Sequence, residues 1–288
     1  MASDDRGRLF ICATPIGNLQ DITLRCLQVL KEAELIAAED TRHTRKLLNH
    51  YDIGTPLTSL HEHNERRKSE LILQKLLDGK NVAVVSDAGM PGISDPGGLL
   101  IAKALAHGIQ VEAVPGPSAV ITALSLSGLP MERFIFDGFL PRTRKERVKY
   151  FEQISGEERT IVFYEAPHRL VDALRDLAEI IPDRPIAVCR ELTKQHEEVF
   201  RGTVGEALEH FQSQGVKGEI TVVLGGVAKS KATEGSVDCA MVKDRLQELL
   251  QSGHSTKDAI RIIVDETGIR RNIVYRLATE LEKNKPQQ

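Results

Sequence analysis

Along the chain, short runs of apolar, β-favouring residues alternate with stretches whose apolar positions recur every three or four residues. LFICA (9–13) precedes a helical pattern starting after Asp21, LIAA (35–38) one near 44–51, and PLTSL (56–60) one from Asn64. VAVVS (82–86) precedes a pattern from Pro96, and VEAVP (111–115) a small-residue helix beginning near Ser118. Short, nearly continuous apolar runs suit strands buried on both faces, and the 3.6-residue recurrence between them suits helices packed on a sheet. Strict alternation of the two builds a largely parallel sheet, so residues 1–128 are expected to form one α/β domain of five strands and five helices.

The order then restarts in a more mixed form: RFIFDGF (133–139), a basic helix, TIVFYE (160–165), and an amphipathic helix from Pro167. IAVCREL (186–192) follows with a possible hairpin partner, EEVFRGTV (197–204), then a helix to Gln214 and EITVVLGG (219–226). These predict a second α/β domain, 129–226. The small, polar and charged stretch after it reads as a linker, 227–236. Three helical patterns (238–251, 255–266 and 270–283) then predict a C-terminal helical domain, 237–288. STKD (255–258) places a serine where its oxygen can accept from an exposed first-turn amide, and Thr267-Gly268 breaks the pattern before Arg270. Two helices joined by a short glycine-containing turn resemble a helix-turn-helix, whose second helix would display Arg270, Arg271, Asn272, Tyr275 and Arg276 to nucleic acid or to a packing partner. The expected fold class is therefore α/β, two α/β domains with a small helix-turn-helix-like domain behind them, and no internal repeat.

Composition narrows the function class. Of 288 residues 27% are charged and 41% hydrophobic, ordinary values for a globular protein, and no apolar run approaches the roughly 18 residues needed to span a bilayer. No membrane partner is expected. MASDDRGR lacks the charged-then-apolar order of a secretory signal, and Cys12, Cys26, Cys189 and Cys239 are scattered without zinc-ligand spacing. A cytoplasmic protein without a structural metal or disulfide framework is expected. The net charge of -3 argues against nonspecific coating of nucleic acid, yet it hides an asymmetry. Residues 229–288 carry 11 Lys and Arg against 9 Asp and Glu, leaving 27 against 32 for the rest. A polyanion must therefore meet local basic patches, of which RTRKERVK (142–149) is the densest in the body, unless it is simply a solvated face.

Ligands of open α/β sheets bind beyond the carboxyl ends of the strands. The loops there are TPIGNL (14–19), EDTRHT (39–44), HEHN (61–64), SDAGMPGISDPG (86–97) and PGPSA (115–119), all polar or rich in glycine and proline. No G-x-G-x-x-G opens the first helix and no G-x-x-x-x-G-K-[ST] occurs, so a dinucleotide fingerprint and a Walker-type phosphate cradle both lose support. Glycine and proline in the last two loops suit close backbone approach to a flat ligand, with Asp87 and Asp95 available to hydroxyl or ammonium groups.

These residues carry a resemblance. TPIGNLxDIT (14–23), AAEDTRHT (37–44), SDAGMPGISDPG (86–97), PGPSA (115–119), FYEAPHR (163–169) and RELTK (190–194) resemble, in order and over nearly the whole chain, the class III, tetrapyrrole-methylase-like methyltransferases that use S-adenosyl-L-methionine. Within them the chain is most similar to the family that methylates the ribose 2'-hydroxyl of a decoding-centre cytidine in bacterial small-subunit (16S) rRNA. The resemblance implies a homodimer with the cofactor folded into a cleft between the two α/β domains. It implies that Asp87, Ala88, Gly89 and Met90 line the cofactor, with Ser118 and Ala119 facing it and Tyr164 and Gly218 closing the second-domain side. Ser86-Asp87-Ala88 stands where the wider group often has Gly-Asp-Pro. The small ribosomal subunit would be met by the basic helix and the tail, with Arg142, Arg144, Lys145, Arg169 and Arg190 as candidate substrate contacts, although Arg169 and Arg190 could equally bridge the domains.

A sulfonium methyl is already activated, so catalysis needs in-line alignment of the nucleophile and an acceptor for the proton of a weakly acidic hydroxyl. Glu39, Asp40, His43, His61, His63 and, if neutralised by its surroundings, Lys194 are the candidates. Glu39 and Asp40 could instead cap the next helix or pair with Arg42, and the two histidines flanking Glu62 could be structural. A small-molecule tetrapyrrole-type methylase shares the cofactor cleft but has no use for an appended helical domain. A nonenzymatic nucleic-acid-binding regulator with a ligand-sensing body is the alternative from another class.

Overall fold

The computed structural model describes residues 6–213, 215–227, 239–267 and 271–283. They form two compact units, Met1–Gly226 and Val227–Gln288. The expected linker lies, apart from Val227, outside the described residues, as does Arg270.

The larger unit begins with five strands, β1 (Arg8–Cys12), β2 (Leu35–Ala38), β3 (Leu57–Ser59), β4 (Val82–Val85) and β5 (Gln110–Val114), paired in the order β3-β2-β4-β1-β5. Every pairing is parallel. LIAA and VAVV are buried at all four positions because helices cover both faces of the sheet, as parallel crossovers require. The helices after the first four strands are α1 (Leu24–Glu32), α2 (Thr41–His50), α3 (Glu65–Leu77) and α4 (Gly98–Ala106). Cys26 and Leu30 of α1 and Leu48 of α2 fill one core with Ile36, Ala38, Ala83 and Val85. Ile72, Leu73 and Leu76 of α3 and Leu100 and Ala104 of α4 fill another with Leu9, Ile11, Ala37, Val82 and Val84. The chain therefore leaves β1 and β2 toward one face and β4, which lies between them, toward the other. That reversal opens a crevice at the carboxyl edge, and the loop after β4 stands in it.

The helix after β5, α5 (Ala119–Ser127), packs elsewhere. Its Val120, Ala123 and Leu124 lie with Val162, Ala187, Cys189, Val223 and Ile16 in a core on the second sheet. That sheet contains β6 (Phe134–Phe139), β7 (Thr160–Glu165), β8 (Pro185–Arg190), β9 (Glu198–Thr203) and β10 (Ile220–Leu224) in the order β6-β7-β10-β8-β9. Only β6–β7 is parallel; β10 runs antiparallel to both neighbours, and β8 and β9 form the antiparallel hairpin expected from their sequence. Three helices, α6 (Arg144–Ile154), α7 (Pro167–Ala178) and α8 (Val204–Gln212), cover its other face through Phe151, Leu170, Leu174, Leu177 and Phe211. Pro167 opens α7, where its missing N–H costs nothing, and a reciprocal Thr203–Glu206 capping box opens α8.

The smaller unit is a three-helix cluster, α9 (Cys239–Gln251), α10 (Thr256–Thr267) and α11 (Arg271–Lys283), around Val242, Leu246, Ile260, Ile263, Val274 and Leu277. Ser255 Oγ accepts from the Asp258 amide at 3.1 Å, the cap expected at α10. On α11, Tyr275 and Arg276 are exposed, while the side chains of Arg271 and Asn272 lie outside the described residues. Among the described residues no helix is long and apolar enough to cross a membrane.

Candidate functional site

Four loops from the two sheets converge on the crevice. After β1, Thr14 forms a two-residue bridge to Gly89, each amide donating to the other's carbonyl at 2.9 and 3.1 Å. The bridge holds the 86–97 loop across the sheet edge, and Gly89 takes a left-handed φ of +80° that a side-chain-bearing residue would strain to adopt. Gly17 brings the β1 loop against the loop after β8. A Cβ there would stand 2.8 Å from the Leu192 carbonyl oxygen and 2.5 Å from Lys194 Cγ, so only hydrogen fits. The Asn18 amide then donates to Thr193 Oγ1 at 3.0 Å, tying the two halves of the unit together.

Between these loops lies a cavity of about 370 Å³, within the usual size range of small-molecule sites, roughly 300–1,000 Å³. Asp87, Ala88, Gly89, Met90, Ser118, Ala119, Tyr164 and Gly218, the eight residues singled out for the cofactor, all line it. Ser118 caps α5 by accepting from the Ile121 amide, and Tyr164 rests edge-on against Phe136 with Phe139 beside it. The apolar lining includes Ile16, Ile93 and Leu192, which lie within the quoted motifs but were not singled out, and Phe139, which lies outside them.

Carboxylates dominate the polar lining: Glu39, Asp87, Asp95, Glu165 and Glu219. Burial, followed by the charges of Glu39 and Asp87, pushes the Asp95 carboxyl up to about 7 despite a hydrogen bond from Ser86. Glu39 is raised by burial and then by Asp87, although it also accepts weakly from the Asp87 amide at 3.4 Å. Burial raises Glu165 as well; its Oε1 accepts from the Ala166 amide, whereas its buried Oε2 has no hydrogen bond. Tyr164 is pushed up to about 12 by burial and by the nearby Asp95 and Glu219. Such a crowded set of acids at a cavity wall is poised for a cation.

A second cavity, about 380 Å³, shares Ile16, Asp87, Ala88 and Glu219 with the first. Its remaining wall is different in character: Thr14, Gly17, His43, Thr44, Lys46 and Lys194. The six proton-acceptor candidates therefore separate. Glu39 faces the first cavity and His43 the second. Asp40 faces neither: it caps α2 through the Arg42 amide, and the Arg42 guanidinium holds its carboxyl far below the usual range. Lys194 lies on the second cavity, but its Nζ sits 2.8 Å from Glu191 and 3.1 Å from Glu219. Burial works against its charge, yet the two carboxylates outweigh it and hold the ammonium above its ordinary range, the opposite of the neutral amine a proton acceptor requires. His61 is tied to Asn64 at 2.9 Å, and neither it nor His63 lines either cavity.

The candidate substrate arginines are largely engaged. Arg144 pairs with Asp176 and Glu179 of the α7 region at 2.8 Å, and the buried Arg147 takes the other oxygen of Asp176. Arg169 donates to the Leu140 and Pro141 carbonyls and stands 3.3 Å from Glu165; Arg190 pairs with Glu198. Arg142 and Lys145 are exposed, without such partners among the described residues.

Comparison with known proteins accords with this architecture. Residues 8–208 match the family of tetrapyrrole (corrin/porphyrin) methylases. A protein of Halalkalibacterium halodurans named ribosomal RNA small subunit methyltransferase I is 43% identical over 275 residues, 95% of each chain. Its namesake in Thermotoga maritima is 52% identical over 220 residues, covering 99% of that protein but 76% of this chain, so about a quarter of the chain has no counterpart there. Among solved structures, uroporphyrin-III C-methyltransferase from Thermus thermophilus, complexed with S-adenyl homocysteine, aligns with a TM-score of 0.54 at 20% identity over 76% of this chain and 97% of its own. Diphthine synthase gives a TM-score of 0.59 at 15% identity, over 76% and 90%. These distant likenesses speak to the fold alone. Family match and close relatives together place the chain in the tetrapyrrole methylase family, in its branch of ribosomal RNA small subunit methyltransferases I.

Proposed function

We propose that the protein is an S-adenosyl-L-methionine-dependent methyltransferase that modifies the ribose 2'-hydroxyl of cytidine 1402 in small-subunit rRNA. The observation that carries the reading is the pair of adjoining cavities, one walled by carboxylates and the other bringing in His43, Lys46 and Lys194, with Ile16, Asp87, Ala88 and Glu219 shared between them. The nucleotide position itself follows the family resemblance and not the geometry.

The first cavity fits the cofactor. Asp87, Asp95, Glu165 and Glu219 would meet its ammonium and sulfonium charges, the backbone from Ala88 to Met90 would approach it closely, and Ile16, Phe139, Tyr164 and Leu192 would cover its flat base. When bound, the cofactor supplies an activated methyl group. The chain's own residues then have three tasks. Asp87 and Ala88 position the acceptor at the wall shared by the cavities. The apolar lining excludes water, which strengthens each charge interaction there. Glu39 or His43 accepts the hydroxyl proton, since Asp40 and Lys194 are held by their own ion pairs. A well-placed acceptor of this kind contributes typically about 100- to 10,000-fold.

The protein is further proposed to act in the cytoplasm as a homodimer. Ile121, Met131 and Phe134, at the start of the second sheet and on the helix against it, leave large apolar side chains about one-third to one-half exposed, a surface suited to a second copy. The decisive experiment offers tritiated S-adenosyl-L-methionine to small ribosomal subunits from a strain lacking this enzyme. Label at the ribose of cytidine 1402 is expected; label confined to tetrapyrroles or other small metabolites would refute the assignment.

A further inference from the structure

The helix that walls the second cavity has an unusual composition. α2 reads TRHTRKLLNH, with Arg42, His43, Arg45, Lys46 and His50 and no acidic residue. Thr44, Leu47 and Leu48 face the core, which leaves the basic side chains on the outside. Arg42, Arg45 and Lys46 stand three and four residues apart, so like charges adjoin along one stripe, an arrangement that destabilises a helix by itself. Asp40 answers Arg42, but Arg45 and Lys46 make no hydrogen bond or ion pair with any described residue.

The stripe borders a cavity that carries further cations. Lys46 and His43 line the cavity of about 380 Å³, joined there by the Lys194 ammonium. By contrast α6 and its approach, the densest basic segment of the body, have Arg144 and Arg147 committed to Asp176 and Glu179.

We infer that α2 is the phosphate-binding face for the acceptor RNA strand and that the second cavity receives the nucleotide to be methylated. Arg45 and Lys46 neutralise backbone phosphates at the rim, His43 and Lys194 line the space the nucleotide enters, and the shared Asp87–Ala88 wall brings it beside the first cavity. This rests on the reading of the protein as an RNA methyltransferase, but its test is binding and not turnover.

Full-length protein, Arg45→Glu/Lys46→Glu and, for the competing surface, Arg142→Glu/Lys145→Glu are titrated with a decoding-centre 16S rRNA oligonucleotide by filter binding from 50 to 200 mM salt. The α2 variant is expected to bind at least tenfold more weakly, with the slope of log affinity against log salt reduced by about 0.7 to 0.9 for each phosphate no longer neutralised. Its S-adenosyl-L-methionine affinity and thermal midpoint stay those of the parent, which separates weakened RNA binding from unfolding. The α6 variant is expected to change less. Parent-like RNA affinity and salt slope in the α2 variant, or a larger loss in the α6 variant, would overturn the inference. A parent that binds RNA through α2 yet methylates no subunit would instead count against the proposed reaction alone.

Discussion

Binding of S-adenosyl-L-methionine is expected to expel a proton from Asp95. In the ligand-free protein, burial and then the charges of Glu39 and Asp87 raise this carboxyl to about 7, against an ordinary value of 3.8. A ligand cation in the same cavity reverses the balance, because the ionised form gains a partner that the neutral form does not. Taking about 7 for the free protein and about 4 for the complex, linkage makes the apparent Kd scale as 1 + 10^(7 − pH) over this range. Affinity should then be about tenfold weaker at pH 6 than at pH 8. The ligand-free fold obeys the complementary sign: since the folded carboxyl holds its proton more tightly than the unfolded one, this group's contribution is fullest below pH 3.8 and is lost as pH rises through about 7. The cofactor should accordingly raise the thermal midpoint more at pH 8 than at pH 6.

Calorimetry at pH 6, 7 and 8, each in two buffers of different ionisation enthalpy, measures both the affinity and the protons released. Asp95→Asn supplies the control. The ligand's own amine titrates in either protein, so the difference between the two profiles belongs to Asp95. The variant should bind more weakly at pH 8 and lose most of the dependence. Parallel profiles for the two proteins, with equal proton release, would refute the placement of Asp95 against a cationic ligand.

Two further perturbations test the scaffold behind the site. Gly17→Ala sets a methyl 2.8 Å from the Leu192 carbonyl oxygen, so the β1 and β8 loops must part; a severalfold loss of cofactor affinity by calorimetry, with a small fall in thermal midpoint, is expected. Arg147→Ala leaves Asp176, buried between α7, which carries it, and α6, with only Arg144 as its cation; denaturant unfolding should show a loss of about 3 kcal/mol, the lower end for a broken buried pair, while cofactor affinity is unchanged.

The alternation of apolar runs and helical periods is enough to place every strand of both sheets, because buried parallel strands such as LIAA and VAVV admit little else. Much of the first cavity's wall is legible too: Asp87 to Met90 and Ser118 lie in loops whose glycines and prolines mark them, and Tyr164 ends β7 within a quoted motif, whereas Gly218 is marked only by the resemblance. Pairing is what a linear pattern does not carry. RTRKERVK looks like a free basic face in one dimension, yet Arg144 and Arg147 are claimed by Asp176, some thirty residues away. Glu191, three residues from Lys194, already argues against a neutral amine there, and Glu219, just before β10, completes the pairing. Glu165 escapes a sequence reading because a charged residue ending a strand looks like a surface residue, whereas here its side chain is fully buried. Contacts such as Arg147 to Asp176, across many residues, decide which charges remain available, and a local pattern does not report them.

That distinction bears on how the reaction is divided between the two cavities. The cofactor brings positive charge and the RNA brings negative charge, so a single shared pocket would pit one requirement against the other. In the proposed reading, the acids that suit the first ligand and the bases that suit the second lie on either side of a shared wall of Ile16, Asp87, Ala88 and Glu219, of which Asp87 and Ala88 stand at the topological reversal of the first sheet. Asp40 sharpens the boundary: by holding Arg42 and capping α2, it keeps that cation and its own charge out of both cavities. Asp40→Ala should therefore do more than fray the helix. Freed from its partner, Arg42 can turn toward Asp87, which it already senses electrostatically, and compete with the cofactor for that carboxylate. Weaker cofactor binding that recovers in the Asp40→Ala/Arg42→Ala double variant, measured by calorimetry, is the expected result; equal affinity in the parent and both variants would show that the boundary is set by the loops alone.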